Sequence, residues 1–305
     1  MAAPRVRAVL SAGNREMAQR LAAFERALAR AIRERAGGPG RLGQALRYAA
    51  LSPGKRLRPL LVLTTCEAVG GDWKRALPAA IAVECVHAFS LVHDDLPAMD
   101  DDDFRRGRLT THKKFGEALG ILAGDALQAF AFEELTRLRD LGVPDARVVD
   151  AVRRLGRAAG AEELVGGQAL DLAAEGRRAT AALVRNIHVR KTGALMGACL
   201  SIGALAGDAD PRTADRLGEA GVQLGFAFQI TDDLLNAGST LSTLGKRPGT
   251  DAARGKATYP VAVGEKRARA ECARLMRVVR GALERTCERP ALLLQLIDAT
   301  ARRER

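Results

Sequence analysis

The sequence predicts an all-α fold, a single domain over residues 1–305 built from about ten or more helices. Three observations predict it. Segments rich in Ala, Leu, Arg and Glu place apolar residues three and four apart, which is the helical period. Proline and glycine interrupt these segments at intervals of roughly twenty to forty residues. No stretch sustains the period-two alternation of a strand, and there is no internal repeat. With 47% hydrophobic residues in 305 positions, the chain can bury a sizeable core.

Taken in order, the segments justify that reading. The N-terminal MAAPRVRAVLSAGNREMA lacks the apolar run of a secretion signal, and its Arg/Ala bias weakly resembles a transit peptide. From Arg15 to Arg35, arginines interleave with glutamates at helical spacing, and Gly37 to Gly40 end the segment. Ser52 to Gly54 and Gly70-Gly71 are the next breaks. In AAIAVECVHAFSLVHDD, Ala79 to Asp95, only Glu84, His87, Ser90, His93, Asp94 and Asp95 are not apolar. Glu84, His87, Ser90 and Asp94 are spaced 3, 3 and 4, one stripe on an otherwise buried helix. Pro97 should end that helix near Asp95. After Pro144 and the Gly207 to Pro211 break, Asp210-Pro211 reads as an N-cap and first-turn proline of a long helix through about Leu235. On it Gln229, Asp232, Asp233 and Asn236 follow i, i+3, i+4, i+7. Pro248-Gly249 and Pro290 punctuate the remainder.

The formal charge is 48 − 36 = +12, which points to polyanionic partners. Aromatic residues make up only 4% and do not alternate with the basic ones, which argues against stacking on single-stranded nucleic acid, and no nucleic-acid partner is expected. The five cysteines, Cys66, Cys85, Cys199, Cys272 and Cys287, are scattered without metal-ligand spacing. Free buried thiols in a reducing, cytoplasmic compartment are therefore expected. No window reaches eighteen apolar residues without charge, and no transmembrane segment is expected.

The chemistry lies in the carboxylates. HDDLPAMDDDD puts six aspartates within ten positions, Asp94 to Asp103, at the C-terminal end of a buried helix. Carboxylates sit unfavourably at that end of the helix dipole. Two charges about 5 Å apart there repel by roughly 3 kcal/mol at an effective dielectric near 20. Divalent cations remove that cost, and an all-oxygen donor set suits Mg²⁺, which takes one or two carboxylates and keeps its waters. The two striped helices, each ending in an aspartate pair, would line a cavity with carboxylates at one end and apolar walls below. Basic residues answer them: Lys55, Arg56 and Arg58 beside a Pro-Gly turn, Arg105-Arg106-Gly107, Lys191-Thr192-Gly193, Gly245-Lys246 and Gly255-Lys256. None fits the GxxxxGK[ST] frame, so nucleotide binding of that kind fails. His93-Asp94 has too few further histidines for a metal phosphohydrolase, since only His112 and His188 remain beside His87.

GKRLRP, HAFSLVHDDLPAMDDDDFRRG, GGQALDL, RKTGAL, FQITDDLLN and LGKRPGTDAARGKATYP occur in that order. Together they resemble the short-chain trans-prenyl diphosphate synthases, most closely the bacterial farnesyl diphosphate synthases, from about Leu42 to Pro260. The resemblance implies an all-helical bundle around a deep central cavity, the isoprenoid synthase fold, acting as a homodimer. It implies about three Mg²⁺ ions held by Asp94, Asp100 and Asp232, with Asp95 in support. Lys55, Arg58, His87 and Arg106 match positions that hold isopentenyl diphosphate. Arg105, Lys191 and Lys246, with Lys256 nearby, match those that hold the allylic diphosphate, dimethylallyl or geranyl. Thr192 and Gln229 match residues whose oxygens face the developing carbocation. Phe89 and Ser90, five and four positions before Asp94, would floor the cavity and set product length, with geranylgeranyl diphosphate the alternative to farnesyl. The second motif departs from the family's DDxxD, because its last position is Asn236. That departure leaves open a non-catalytic partner subunit of a heteromeric synthase.

Overall fold

The structure, a computed structural model, describes residues 15–36, 38, 40–238 and 258–301. Its described residues form fourteen α-helices and one two-stranded ribbon. The helices used below are α1 (Arg15–Ala31), α2 (Arg41–Ala50), α3 (Leu57–Ala68), α4 (Leu77–Asp94), α5 (Thr111–Phe115), α6 (Glu117–Thr136), α7 (Asp145–Ala159), α8 (Leu164–Ala174), α9 (Ala181–His188), α10 (Ala194–Ala206), α11 (Pro211–Gly238), α12 (Tyr259–Val263), α13 (Glu265–Thr286) and α14 (Ala291–Ala301).

Helix α10, ALMGACLSIGALA, carries no charge, and all thirteen of its residues are buried. It is the axle of the bundle. Helix α11 packs along it, with α3 and α7 on its other sides, while α4 lies against α3 and α6. Small residues set the closest approach. A Cβ on Gly221 of α11 would lie 2.6 Å from the Met196 carbonyl oxygen and 2.8 Å from Gly197 Cα. One large apolar cluster runs from Met17 of α1 to Ile297 of α14. A smaller one joins Val184, Phe226, Tyr259 and Leu275, from α9, α11, α12 and α13.

The two striped helices form as the sequence indicates. Helix α4 begins with Pro78 in its first turn and stops at Asp94, two residues before Leu96-Pro97. The segment Trp73–Asp94 is long and apolar enough to cross a bilayer by length and composition, but 67% of that window is buried against the rest of the fold. Helix α11 is capped by Asp210, whose carboxylate accepts from the Arg212 and Thr213 N–H groups. It continues to Gly238, past Leu235.

One element has no counterpart in the periodicity. Phe104–Arg105 pairs antiparallel with Arg108–Leu109. Arg106 and Gly107, with φ of 54° and 77°, make the turn between them. Positive φ at both central residues is the turn geometry that matches a hairpin's twist. Strands of two residues are too short to show alternation.

Candidate active site

The aspartate run folds back over the end of α4. The N–H groups of Asp100 and Asp102 donate to the carbonyls of Asp94 and Asp95, at 2.8 and 3.3 Å. Asp94 is half-buried, and no described residue donates a hydrogen bond to its carboxylate. Burial raises its pKa more than Lys191 and Arg105 lower it, and Asp100 and Asp95 add to the rise. Asp95 is occupied otherwise. Arg105 donates to its two oxygens through Nε at 2.7 and 2.9 Å, and Nη2 lies 2.5 Å away. Asp95, expected to support a metal, is the residue that holds Arg105.

On α11 the adjacent aspartates part company. Asp232 is half-buried, and its charge is felt by Arg58. Asp233 is buried and accepts the Tyr259 N–H at 2.8 Å, with His188 Nε2 3.5 Å away. Asn236 is exposed. The π-helical turn Val189–Gly193 between α9 and α10 carries Lys191 and Thr192. Lys191 Nζ donates to Asp171 at 2.8 Å, and Thr192 Oγ1 donates to Gln229 Oε1 at 3.1 Å. Asp171 belongs to the GGQALDL motif but carried no expected role. The quoted motif was the available signal.

The basic residues converge on α4 from two loops. Arg106 Nη1 donates to the Pro53 carbonyl at 2.7 Å. Gly54 permits this, because a Cβ there would stand 2.5 Å from Arg106 Nη1. Lys55 follows, half-buried. Arg58 Nη1 lies 3.3 Å from His87 Nε2. Burial and then the charges of Arg58, Arg106, Arg105 and Arg56 hold His87 well below the ordinary histidine pKa. The imidazole is thus neutral, and its Nε2 accepts from Arg58. Arg58 Nε is buried without a partner among the described residues. A cleft opens here, lined by Arg56, Glu84, His87, Asp95, Arg105 and Arg106 among others.

Arg56 is held by two carboxylates and a carbonyl. At the cap of α3, with φ of 51°, it donates to Glu84 at 2.5 Å, Glu25 at 3.2 Å and the Ser52 carbonyl at 2.9 Å. The α4 stripe is therefore split in use. Glu84 clamps Arg56, Ser90 donates to the His87 carbonyl at 2.9 Å, and His87 and Asp94 meet the basic groups. Phe89 is buried in the core, edge-on to His93 with ring centroids 5.7 Å apart. Lys246 and Lys256 lie outside the described residues.

The donors fit magnesium. Among the described residues no three His, Cys, Asp or Glu side chains gather as a ready-made metal cage. Mg²⁺ does not require one, since it is commonly held by one or two carboxylates plus phosphate oxygens and water. Burial raises the Asp94 carboxylate more than Lys191 and Arg105 lower it, and a further cation there would favour its charged form.

A family model described as polyprenyl synthetase matches residues 39–291. The chain is 46% identical over 238 residues to the farnesyl diphosphate synthase of Geobacillus stearothermophilus, covering 78% of this chain and 80% of that one. It is 42% identical over 242 residues to geranylgeranyl pyrophosphate synthase 11, chloroplastic, of Arabidopsis thaliana, covering 78% and 68%. Among solved structures it matches an apo FPP/GFPP synthase from Zymomonas mobilis with a TM-score of 0.79 at 36% identity, covering 92% and 98%.

Proposed function

The chain belongs to the polyprenyl synthetase family, and from that premise we propose that this prenyltransferase condenses isopentenyl diphosphate with dimethylallyl and geranyl diphosphates to give farnesyl diphosphate. One observation carries the reading. Arg58 lies 3.3 Å from His87 and the Arg106 charge reaches the same imidazole, Lys191 acts on Asp94 at the end of α4, Asp232 acts on Arg58, and Thr192, next to Lys191, bonds Gln229.

Lys55, Arg58, Arg106 and neutral His87 bind the isopentenyl diphosphate and fix its double bond. Arg105, held rigid by Asp95, and Lys191, held by Asp171, meet the allylic diphosphate, with Lys246 and Lys256 on the 245–256 segment assigned to the same group. About three magnesium ions, held by Asp94, Asp100 and Asp232, would when bound offset the charge on the departing diphosphate. Thr192 and Gln229 turn oxygen atoms toward the allylic carbon as it becomes positive. Orientation of the two substrates supplies much of the rate. The double bond attacks, and the proton lost afterwards passes to the diphosphate. The apolar side chains around Phe89 exclude water from the cation.

Phe89 and Ser90 are assigned the floor of the cavity. The working unit is assigned as a cytoplasmic homodimer of single-domain chains. Ile121 and Leu122, 46% and 50% exposed on α6, are assigned as an apolar contact for a second copy. Product analysis tests the whole reading: purified protein, Mg²⁺, isopentenyl diphosphate and the ten- or fifteen-carbon allylic diphosphate, followed by dephosphorylation and chromatography. Farnesol from the ten-carbon starter with little beyond it is the expected result. Efficient extension to geranylgeraniol would move the product assignment to the longer chain. Absence of any condensation would favour the partner-subunit reading that Asn236 raises.

A further inference from the structure

Gln229 is fixed from both ends. Its Oε1 accepts from Thr192 Oγ1 at 3.1 Å, and its Nε2 donates to Asp233 Oδ1 at 3.4 Å. The other Asp233 oxygen accepts the Tyr259 N–H at 2.8 Å, and His188 Nε2 stands 3.5 Å from it. An ionised carboxylate only accepts, so the amide must turn its NH₂ edge to Asp233 and its oxygen edge away from it. The carboxylate cannot relax the constraint by rotating, because Tyr259 of α12 holds its second oxygen and the group is only 6% exposed.

We infer that Asp233 is a positioning residue that sets which edge of the Gln229 amide faces the reaction. The inference deepens the proposed function and rests on its placing of Gln229 beside the allylic carbon. Turned the other way, the same amide would present N–H dipoles to a developing positive charge. Size and packing would be unchanged while the electrostatic effect reversed sign. The adjacent aspartates of α11 thus divide the labour. Asp232 acts on Arg58 and is assigned to the metal, while Asp233 meets the Tyr259 N–H beside the small core and orients the amide one turn before it.

Asp233→Asn tests this. The asparagine oxygen stays on the Tyr259 N–H, its NH₂ faces Gln229, and the glutamine amide turns over. We expect kcat to fall on the order of 100-fold, the scale of losing one preorganised polar group, with KM for the allylic diphosphate within about threefold. Adding Gln229→Glu to Asp233→Asn returns an oxygen to the Thr192 side while keeping every hydrogen bond. It should recover at least about tenfold in kcat, a rescue that a merely structural role would not give. Wild-type kcat in Asp233→Asn, or no rescue in the folded double variant, would overturn the inference. If the single variant does not fold, the double variant decides: kcat above that of Gln229→Ala supports it, and kcat at or below that level overturns it. The underlying placement of Gln229 fails separately, if Gln229→Ala keeps wild-type kcat or the wild type forms no condensation product.

Discussion

Arg56 and Arg58 sit two positions apart, look alike as phosphate ligands, and do different work. Arg56 is 5% exposed and clamps Glu84, itself 4% exposed. Removing one partner of such a pair strands a buried charge. Arg56→Ala should therefore cost about 3–5 kcal/mol of stability by urea unfolding, and Glu84→Gln in that background should recover part of it. Arg58→Ala should leave the urea midpoint nearly unchanged and raise KM for isopentenyl diphosphate. His188 gives a pH signature. Burial lowers its pKa from the ordinary 6.5 to about 4. Below 6.5 the unfolded chain takes a proton that the folded chain refuses until about 4. The stability is therefore full above pH 6.5 and is lost as pH falls through that window. Between pH 7 and 5 the wild type should lose about 2 kcal/mol more than His188→Gln does, measured by urea titration at each pH. At this scale the sequence showed which residues are charged but not which way they turn. Asp232 and Asp233 are indistinguishable as letters, and contacts from other elements, the Tyr259 N–H and His188 among them, separate them. The pairing of Asp95 with Arg105 was not legible, because the hairpin that returns Arg105 to it leaves no period in the sequence.

Helices were legible where burial and punctuation agreed. Helix α4 ends at Asp94 because Leu96 must be extended ahead of Pro97, and α11 starts at Pro211 because Asp210 caps it. The hairpin at Phe104–Leu109 was not legible, since its four strand residues sit among charges, although Arg106-Gly107 is a turn pair. The contact between α10 and α11 is an element-scale property that no single residue announces. With the Met196 carbonyl 2.6 Å from where its Cβ would sit, Gly221→Ala must push two buried helices apart. We expect a loss of about 1–3 kcal/mol in urea unfolding. Activity should fall as well, because Gln229 lies two turns further along α11 and depends on its register with Thr192.

For the whole molecule, the arrangement of motifs along the chain was legible and the depth of the cavity was not. Phe89 is the test of depth. It sits one turn and a half before Asp94 in a buried cluster, so Phe89→Ala opens space where the growing chain would end. Products should shift from fifteen toward twenty carbons by chromatography, at a cost of about 3–5 kcal/mol in stability. An unchanged product distribution in folded variant would place the floor elsewhere.

Encasement of α10 on every side has a consequence for measurement. Its amide protons have no shallow route to solvent, so they should exchange with deuterium only when the whole domain opens. Frayed ends and loops exchange through small openings and report only themselves. The central helix is therefore a built-in gauge of global opening. A diphosphate bound at one hundred times its dissociation constant should slow α10 exchange by the equivalent of about 2.7 kcal/mol, without touching one of its residues.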